Sequence, residues 1–163
     1  SVVDSPEVAE ACARAMESIG RLPSGSFVGD DEPESNLRET TVKRLIAFRD
    51  VSQLGHFSVH ADSPCVAEVF EMLLRPNTLQ QLEPLCGEWI GWARRKTDGM
   101  LLIGTLRQEA GDQFVVLADG TRLRVQLAEH VELPIDSKCV ALGKIISTDE
   151  APLVQLVAGV VVP

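Results

Sequence analysis

The sequence has no tyrosine, two tryptophans and five phenylalanines, so aromatic residues make up only 4% of its 163 positions. Proteins that bind single-stranded nucleic acid without sequence preference usually stack the bases on several aromatic side chains. Positive charge is also scarce, because 15 Lys and Arg stand against 24 Asp and Glu, a formal net charge of −9. This balance excludes a protein whose whole surface binds phosphates, so any nucleic-acid contact should be local or come through partners.

Signatures of several other protein classes are missing as well. No apolar run is long enough to span a bilayer, and nothing resembles a secretory signal. The four cysteines include no C-x-x-C pair, which favours reduced thiols in an intracellular protein. There is no G-x-x-x-x-G-K-[ST] loop, G-x-S-x-G elbow or H-E-x-x-H helix. The sequence therefore predicts no catalytic residues, no cofactor, no metal site and no enzyme.

The two halves of the sequence differ in charge and in hydrophobic pattern. Residues 1–86 hold 7 basic and 14 acidic residues, whereas residues 87–163 hold 8 and 10. Apolar residues recur at helical spacing in the first half, and an acidic segment rich in Pro, Ser and Gly interrupts them. The predicted helices lie at 5–20, 37–50 and 64–73, with the linker at 22–36. We predict a helical N-terminal region, 1–86, followed by a second domain at 87–163.

A short segment between the second and third predicted helices contains two of the three histidines. The residues from His56 to His60 alternate like a strand, which would place both histidines on one face. Together with Cys65 they form a conceivable zinc set, but no second ligand pair with finger-like spacing accompanies them. Two surface histidines are the preferred interpretation.

Beyond residue 99 the sequence has the texture of β-structure. Five strands are predicted, at 100–108, 113–118, 121–127, 138–147 and 153–162. Asp119-Gly120 separates the second from the third and is a strong hairpin signal. Gly104 and Gly143 fall in the middle of strands, where glycine is expected if the backbone bends sharply or is approached closely. Five bent strands predict a small closed barrel and an α+β protein overall.

The segment from Leu85 to Lys96 (LCGEWIGWARRK) joins the two halves. Its pattern fits either an amphipathic helix that begins after Pro84 or a sixth strand. We expect a helix or turn that closes one end of the barrel. Trp89 and Trp92 are candidate partner-interface residues, because tryptophan is favoured at protein interfaces.

The string LLIGTLRQEAGDQFVVLADGTRLRVQL, with CVALGKI further on, resembles the smallest subunit of replication protein A, the eukaryotic single-stranded-DNA-binding heterotrimer. Gly104, Asp119-Gly120 and Gly143 carry the resemblance, which covers about residues 87–163. Small subunits of telomere-capping and recombination-dissolving complexes look similar. The resemblance implies a barrel of the oligonucleotide/oligosaccharide-binding (OB) type. It further implies a non-catalytic subunit of a nuclear replication or repair complex, whose larger OB-fold partners hold most of the DNA.

The sequence departs from that family at both ends. The family has a helix after the barrel that joins a three-helix bundle with the partners, whereas here Pro163 directly follows the last strand. About 85 residues precede the barrel, and we expect one of their helices to dock the partners instead. Since the sequence opens at Ser1 rather than Met, the mitochondrion is an alternative compartment. An RNA-binding OB subunit and a protein-interaction scaffold of another large assembly are the alternative functions.

Candidate nucleic-acid contacts come from basic residues on the expected binding strands. An OB barrel binds with the face of its second and third strands and with the loops between strands 1 and 2 and between strands 4 and 5. Arg122 and Arg124 alternate with apolar residues, so both should leave the barrel on one side, next to Arg107. The only triple basic run is Arg94, Arg95 and Lys96. Phe114, the sole aromatic in the five strands, is expected to lie in the core.

Overall fold

The computed structural model describes residues 5–23, 34–57, 59–60, 62–92, 99–147 and 152–163, with the side chains of 34–37 and 90–92 excepted. Five helices come first: α1 (Pro6–Gly20), α2 (Glu34–His56), α3 (Pro64–Leu73), α4 (Pro76–Leu82) and α5 (Leu85–Trp92). Five strands follow: β1 (Gly99–Glu109), β2 (Asp112–Leu117), β3 (Arg122–Leu127), β4 (Lys138–Ser147) and β5 (Leu153–Val161). The predicted α+β class, with helices before a five-stranded C-terminal sheet, is confirmed. None of the described helices is long and apolar enough to cross a membrane.

Two helices begin with the same sequence signal. Ser5 caps α1, where its hydroxyl accepts a hydrogen bond from the Val8 amide at 3.2 Å, and a proline follows at the first helical position. Ser63 stands at the same place before α3 but makes no capping bond with its side chain. The identical start, Asp-Ser-Pro, therefore marks both helix starts while only one of them uses the serine as a cap.

The N-terminal half differs from the prediction in three places. Helix α2 continues to His56, so the strand predicted at 56–60 is wrong; buried Val51 and Leu54 hold this last part of the helix in the core. Helix α4, which has few apolar residues, was not predicted. The predicted linker 22–36 overlaps the start of α2, and residues 24–33 lie outside the described residues.

The first residues of the predicted linker contact the helical part of the chain. Leu22 packs against the core. The carbonyl of Pro23 accepts hydrogen bonds from the side-chain amides of Asn77 at 3.1 Å and Gln81 at 3.0 Å. The chain leaving α1 is thus attached to α4.

The five strands form one sheet that closes on itself in the order β1-β2-β3-β5-β4. Neighbours are antiparallel except β3 and β5, which are parallel. Strand β1 closes the ring by pairing with β4 through its first half and with β2 through its second, and Gly104 and Thr105 pair with both. A Cβ atom on Gly104 would approach the Val116 carbonyl oxygen to 2.5 Å. Glycine is needed there because the backbone of β2 occupies the place of a side chain.

Helix α2 packs against this ring in direct backbone contact. The Leu101 amide of β1 donates a hydrogen bond to the Ser52 hydroxyl at 3.1 Å. A Cβ atom on Gly99 would overlap the Ser52 carbonyl oxygen, and one on Gly55 would overlap the Gly143 carbonyl oxygen. We call the contact made by Ser52, Gly55, Gly99 and Gly143 the α2 junction. Gly143 contributes its carbonyl oxygen to this contact; a Cβ atom on it would overlap the Val154 side chain of β5, at a register shift between β4 and β5.

Helices and sheet share one cluster of buried apolar residues. The predicted boundary between residues 86 and 87 falls inside α5 and stays a prediction. Of the two alternatives predicted for the segment 85–96, helix or sixth strand, the helix is found at residues 85–92, which form α5. Residues 93–96 lie outside the described part. Helix α5 contacts β1, but α2 covers far more of the sheet.

Candidate nucleic-acid interface

The register of β1, β2 and β3 brings three of the predicted arginines onto one outer face. Arg107 lies opposite Phe114, which lies opposite Arg124, so that the three form a row across the strands. Thr105, Val116 and Arg122 form the next row, and Glu109 and Asp112 stand at the turn between β1 and β2. The β1–β3 face is the surface made by these eight residues: Thr105, Arg107, Glu109, Asp112, Phe114, Val116, Arg122 and Arg124. Arg107, Arg122 and Arg124 are exposed there.

The position of Phe114 corrects the sequence prediction, because it is partly exposed in the middle of this face rather than in the core. A two-residue turn at Asp119-Gly120 would pair Phe114 with inward-facing Val125. The connection instead has three residues, 118–120, closed by the bonds of Leu117 to Thr121 at 2.8 Å and of Gly120 to Leu117 at 3.0 Å. The additional residue shifts the register by one, which turns Phe114 outward and Val115 inward.

Arg122 lies over the ring of Phe114. Its guanidinium carbon is 4.6 Å from the ring centre, a cation–π contact. Its Nη2 also donates a hydrogen bond to the carboxylate of Glu109. Arg122 pairs with Val116 on one side of Phe114, whereas Glu109 pairs with Asp112 on the other. The arginine side chain therefore crosses the ring to reach its acidic partner.

The other two arginines have different surroundings. Arg107 Nη1 lies 2.6 Å from the Asp136 carboxylate, and both side chains are more than half exposed. Exposed ion pairs of this kind contribute about 0–1 kcal/mol, so a phosphate could replace the carboxylate. Arg124 makes no side-chain hydrogen bond or ion pair with any residue that the structure describes. Arg124 is thus the arginine most available to a ligand.

The net charge near this face is close to zero. Its three arginines are matched by two acids of the face, Glu109 and Asp112, and by Asp136 from the loop before β4. A surface with almost no net charge cannot attract single-stranded nucleic acid from a distance, because long-range attraction needs an electrostatic potential of one sign. The face can therefore contact a ligand only at short range, through one aromatic ring that lies between guanidinium groups.

Two hollows border the face on opposite sides. The larger, about 460 Å³, lies beside Arg124 and is lined mainly by amide side chains and the start of β5: Gln108, Gln113, Gln126 and Leu153. The smaller, about 200 Å³, lies between Arg107 and Lys138. Lys138 Nζ is 3.0 Å from the Glu83 carboxylate. Polar groups therefore flank the aromatic row at both ends.

The remaining predicted site residues are elsewhere. Trp89 is partly buried and packs on the core, with its ring centre 5.4 Å from that of Phe48. Part of this partner-interface candidate is thus used for packing within the chain. The Trp92 side chain and the basic run Arg94, Arg95 and Lys96 lie outside the part of the chain that the structure describes.

The conceivable zinc set does not come together. His60 stacks on His130 of the loop before β4, with ring centres 4.1 Å apart and planes at 18°. His60 Nδ1 accepts a hydrogen bond from the Asp62 amide at 3.1 Å, and His130 Nε2 lies 2.7 Å from the Val157 carbonyl oxygen. Among the described residues, no group of three His, Cys, Asp or Glu could hold a metal ion. The pairing with His130 was not predicted, since 70 residues separate the two histidines.

Two buried thiols are poorly suited to nucleophilic chemistry. Burial raises the pKa of Cys86 to about 12, with nearby Glu83 and Asp119 adding to the effect. Burial likewise raises the pKa of Cys139 to about 11. Because the thiolate is the reactive form, both groups remain protonated and unreactive at neutral pH.

No protein-family model, curated protein or solved structure matches this chain. Its function is therefore inferred from its own residues and their arrangement.

Proposed function

We propose that this chain is a non-catalytic OB-type subunit that helps to assemble a single-stranded-DNA-binding complex of replication or repair, and that it contacts the strand weakly through the β1–β3 face. The observation that carries the proposal is the row of Arg107, Phe114 and Arg124 on strands β1, β2 and β3. An OB barrel has five strands, and it binds oligonucleotides on strands 2 and 3 and on the loops between strands 1 and 2 and between strands 4 and 5. The number of strands and the position of the row on β2, β3 and the neighbouring β1 fit that description.

The composition of the face supports a minor share in binding. Stacking of one base on an aromatic side chain contributes roughly 1–3 kcal/mol, and this face has a single such ring. Its arginines could bind the phosphates on either side of the stacked base. A face with one stacking position and almost no net positive charge binds single-stranded DNA only weakly by itself. It becomes useful when a larger subunit already holds the strand nearby, because the local strand concentration is then high.

Helix α2 supports the expected docking of larger OB-fold subunits. One face of the helix packs on the sheet through the α2 junction. One turn apart on its exposed side, Val42 is 52% exposed and Ile46 36%. We expect the larger OB-fold subunits to dock on this exposed apolar pair. Likeness to the smallest subunit of replication protein A and a nuclear location are parts of the proposal.

Direct binding is tested with a fluorescent oligo-dT and the purified full chain, measured by anisotropy. Arg124→Gln should weaken binding severalfold. Arg21→Gln, which removes an exposed arginine from an ion pair with Glu17 on α1, should leave it unchanged. The logarithm of affinity should fall with that of salt concentration with a slope of roughly −2 if three arginines contact phosphates. Equal weakening by both variants would contradict the proposed face.

Assembly is tested by gentle affinity purification of the tagged chain from its native cells. Recovery of large and middle OB-fold subunits in equal amounts would support the proposed complex. Replacing Val42 and Ile46 together by Ser should then reduce that recovery, while the purified variant still unfolds in one cooperative transition. Partners without any nucleic-acid protein among them would overturn the proposal.

The near-neutral face and the net charge of −9 favour one alternative, a protein-interaction scaffold of another assembly. In that case oligo-dT should not bind, and neither should oligo-U. A third possibility, an RNA-binding OB subunit, would show preference for oligo-U over oligo-dT in direct competition.

A further inference from the structure

We propose that Arg122 is a movable cover on Phe114, held in place by Glu109, and that a nucleic-acid base displaces it in order to stack on the ring. This inference rests on the proposed function and concerns the regulation of the same face. Glu109 is then a positioning residue that limits access to the single stacking position.

The cover follows from the place of the guanidinium. With its carbon 4.6 Å from the ring centre, it occupies the space above Phe114 that a stacked base would need. Phe114 lies in the central row of the β1–β3 face, between Arg107 and Arg124. A base approaching this row therefore meets Arg122 before it meets the ring.

The contacts that hold the cover are exposed and individually weak. The Arg122 side chain is 45% exposed and that of Glu109 is 59% exposed. Solvent screens an ion pair in such a position. A phosphate oxygen can accept the same guanidinium hydrogen bonds as the carboxylate does. Opening thus exchanges one anionic partner of Arg122 for another and uncovers the aromatic ring.

Glu109 competes with the strand in this mechanism, so removing its charge should raise affinity. The chain offers a matched control in Asp112, which lies opposite Glu109 across the turn and on the same face. Asp112 makes no ion pair with any residue that the structure describes. Glu109→Gln and Asp112→Asn each remove one negative charge from nearly the same place, and only the first releases Arg122.

The experiment compares oligo-dT with an abasic oligonucleotide of equal length, using anisotropy and the full chain. Glu109→Gln should bind oligo-dT about twofold to fivefold more tightly than Asp112→Asn, the range expected for an exposed ion pair. The advantage should be smaller on the abasic strand. Adding Phe114→Leu to Glu109→Gln should abolish the difference between the two strands, and melting curves should show that each variant is folded.

Three results would overturn the cover. If Glu109→Gln and Asp112→Asn bind oligo-dT equally while Arg124→Gln still weakens binding, the proposed function stands and the cover is wrong. An equal gain on both strands means that Glu109 only repels phosphates. If neither the unmodified chain nor Glu109→Gln binds oligo-dT, the proposed contact with DNA is wrong, and the cover is wrong with it.

Discussion

The α2 junction and the β1–β3 face lie on the same closed sheet and are built in opposite ways. At the junction, three of the four residues are glycines, so that the backbone of α2 lies directly against β1 and β4. On the face, long charged side chains form ion pairs that are exposed to solvent. Close-packed interiors tolerate little change in volume, whereas exposed ion pairs can exchange partners at low cost. The molecule thus combines a rigid attachment of its helices with an adaptable outer surface.

The largest effect expected from this comparison is at the junction. Gly99→Ala places a Cβ atom against the Ser52 carbonyl oxygen and within 2.7 Å of the His56 amide nitrogen. Both obstacles are backbone, so the helix must move, and we expect a loss of about 3 kcal/mol in the free energy of unfolding. Chemical denaturation followed by circular dichroism measures it.

The control for this substitution is Gly20→Ala. A Cβ atom on Gly20 meets nothing within 4 Å, and the residue ends α1. Alanine should be neutral there or stabilise by up to about 1 kcal/mol. Equal stability of Gly99→Ala and the unmodified chain would contradict backbone contact at the junction.

The same contrast determines what the sequence could predict. The bounds of all five strands agree with the predicted ones to within one residue, because alternation, glycines and turn residues are local signals. The end of α2 was missed because the burial of Val51 and Leu54 in the core, a long-range packing effect, holds residues 51–56 in the helix. Phe114 was misplaced because its neighbours in β2 are apolar on both sides, so only the length of the following loop decides which side faces inward. The pairing of Arg122 with Glu109 was beyond sequence reasoning, since it depends on that register.

A second prediction compares a buried carboxylate, Asp50, with an exposed one, Asp136. Asp50 is 4% exposed and accepts hydrogen bonds from the Ser18 hydroxyl and the Arg49 guanidinium. Asp50→Ala leaves both donors without this acceptor, one of them buried, and should cost about 2 kcal/mol of unfolding free energy. Asp136 has a positive φ of 67°, which Asn tolerates as well as Asp does, so Asp136→Asn removes only the charge of an exposed partner of Arg107 and should cost less than about 0.5 kcal/mol. Similar losses in urea titrations of the two variants would break the comparison.

The smallest effect is expected at the hairpin that sets the register of the face. Hydrogen bonds from Thr121, including one from its backbone amide at 2.9 Å, lower the pKa of Asp119 below its ordinary value of 3.8. A carboxyl group whose pKa is lower in the folded chain stabilises the fold above the unfolded pKa, and this contribution is lost as the pH falls through the folded one. Asp119→Asn should therefore flatten the pH dependence of the melting temperature slightly below about pH 4. Because Asp119 is fully exposed, its contribution should be small. A large change in the pH dependence of the melting temperature would contradict this account of the turn.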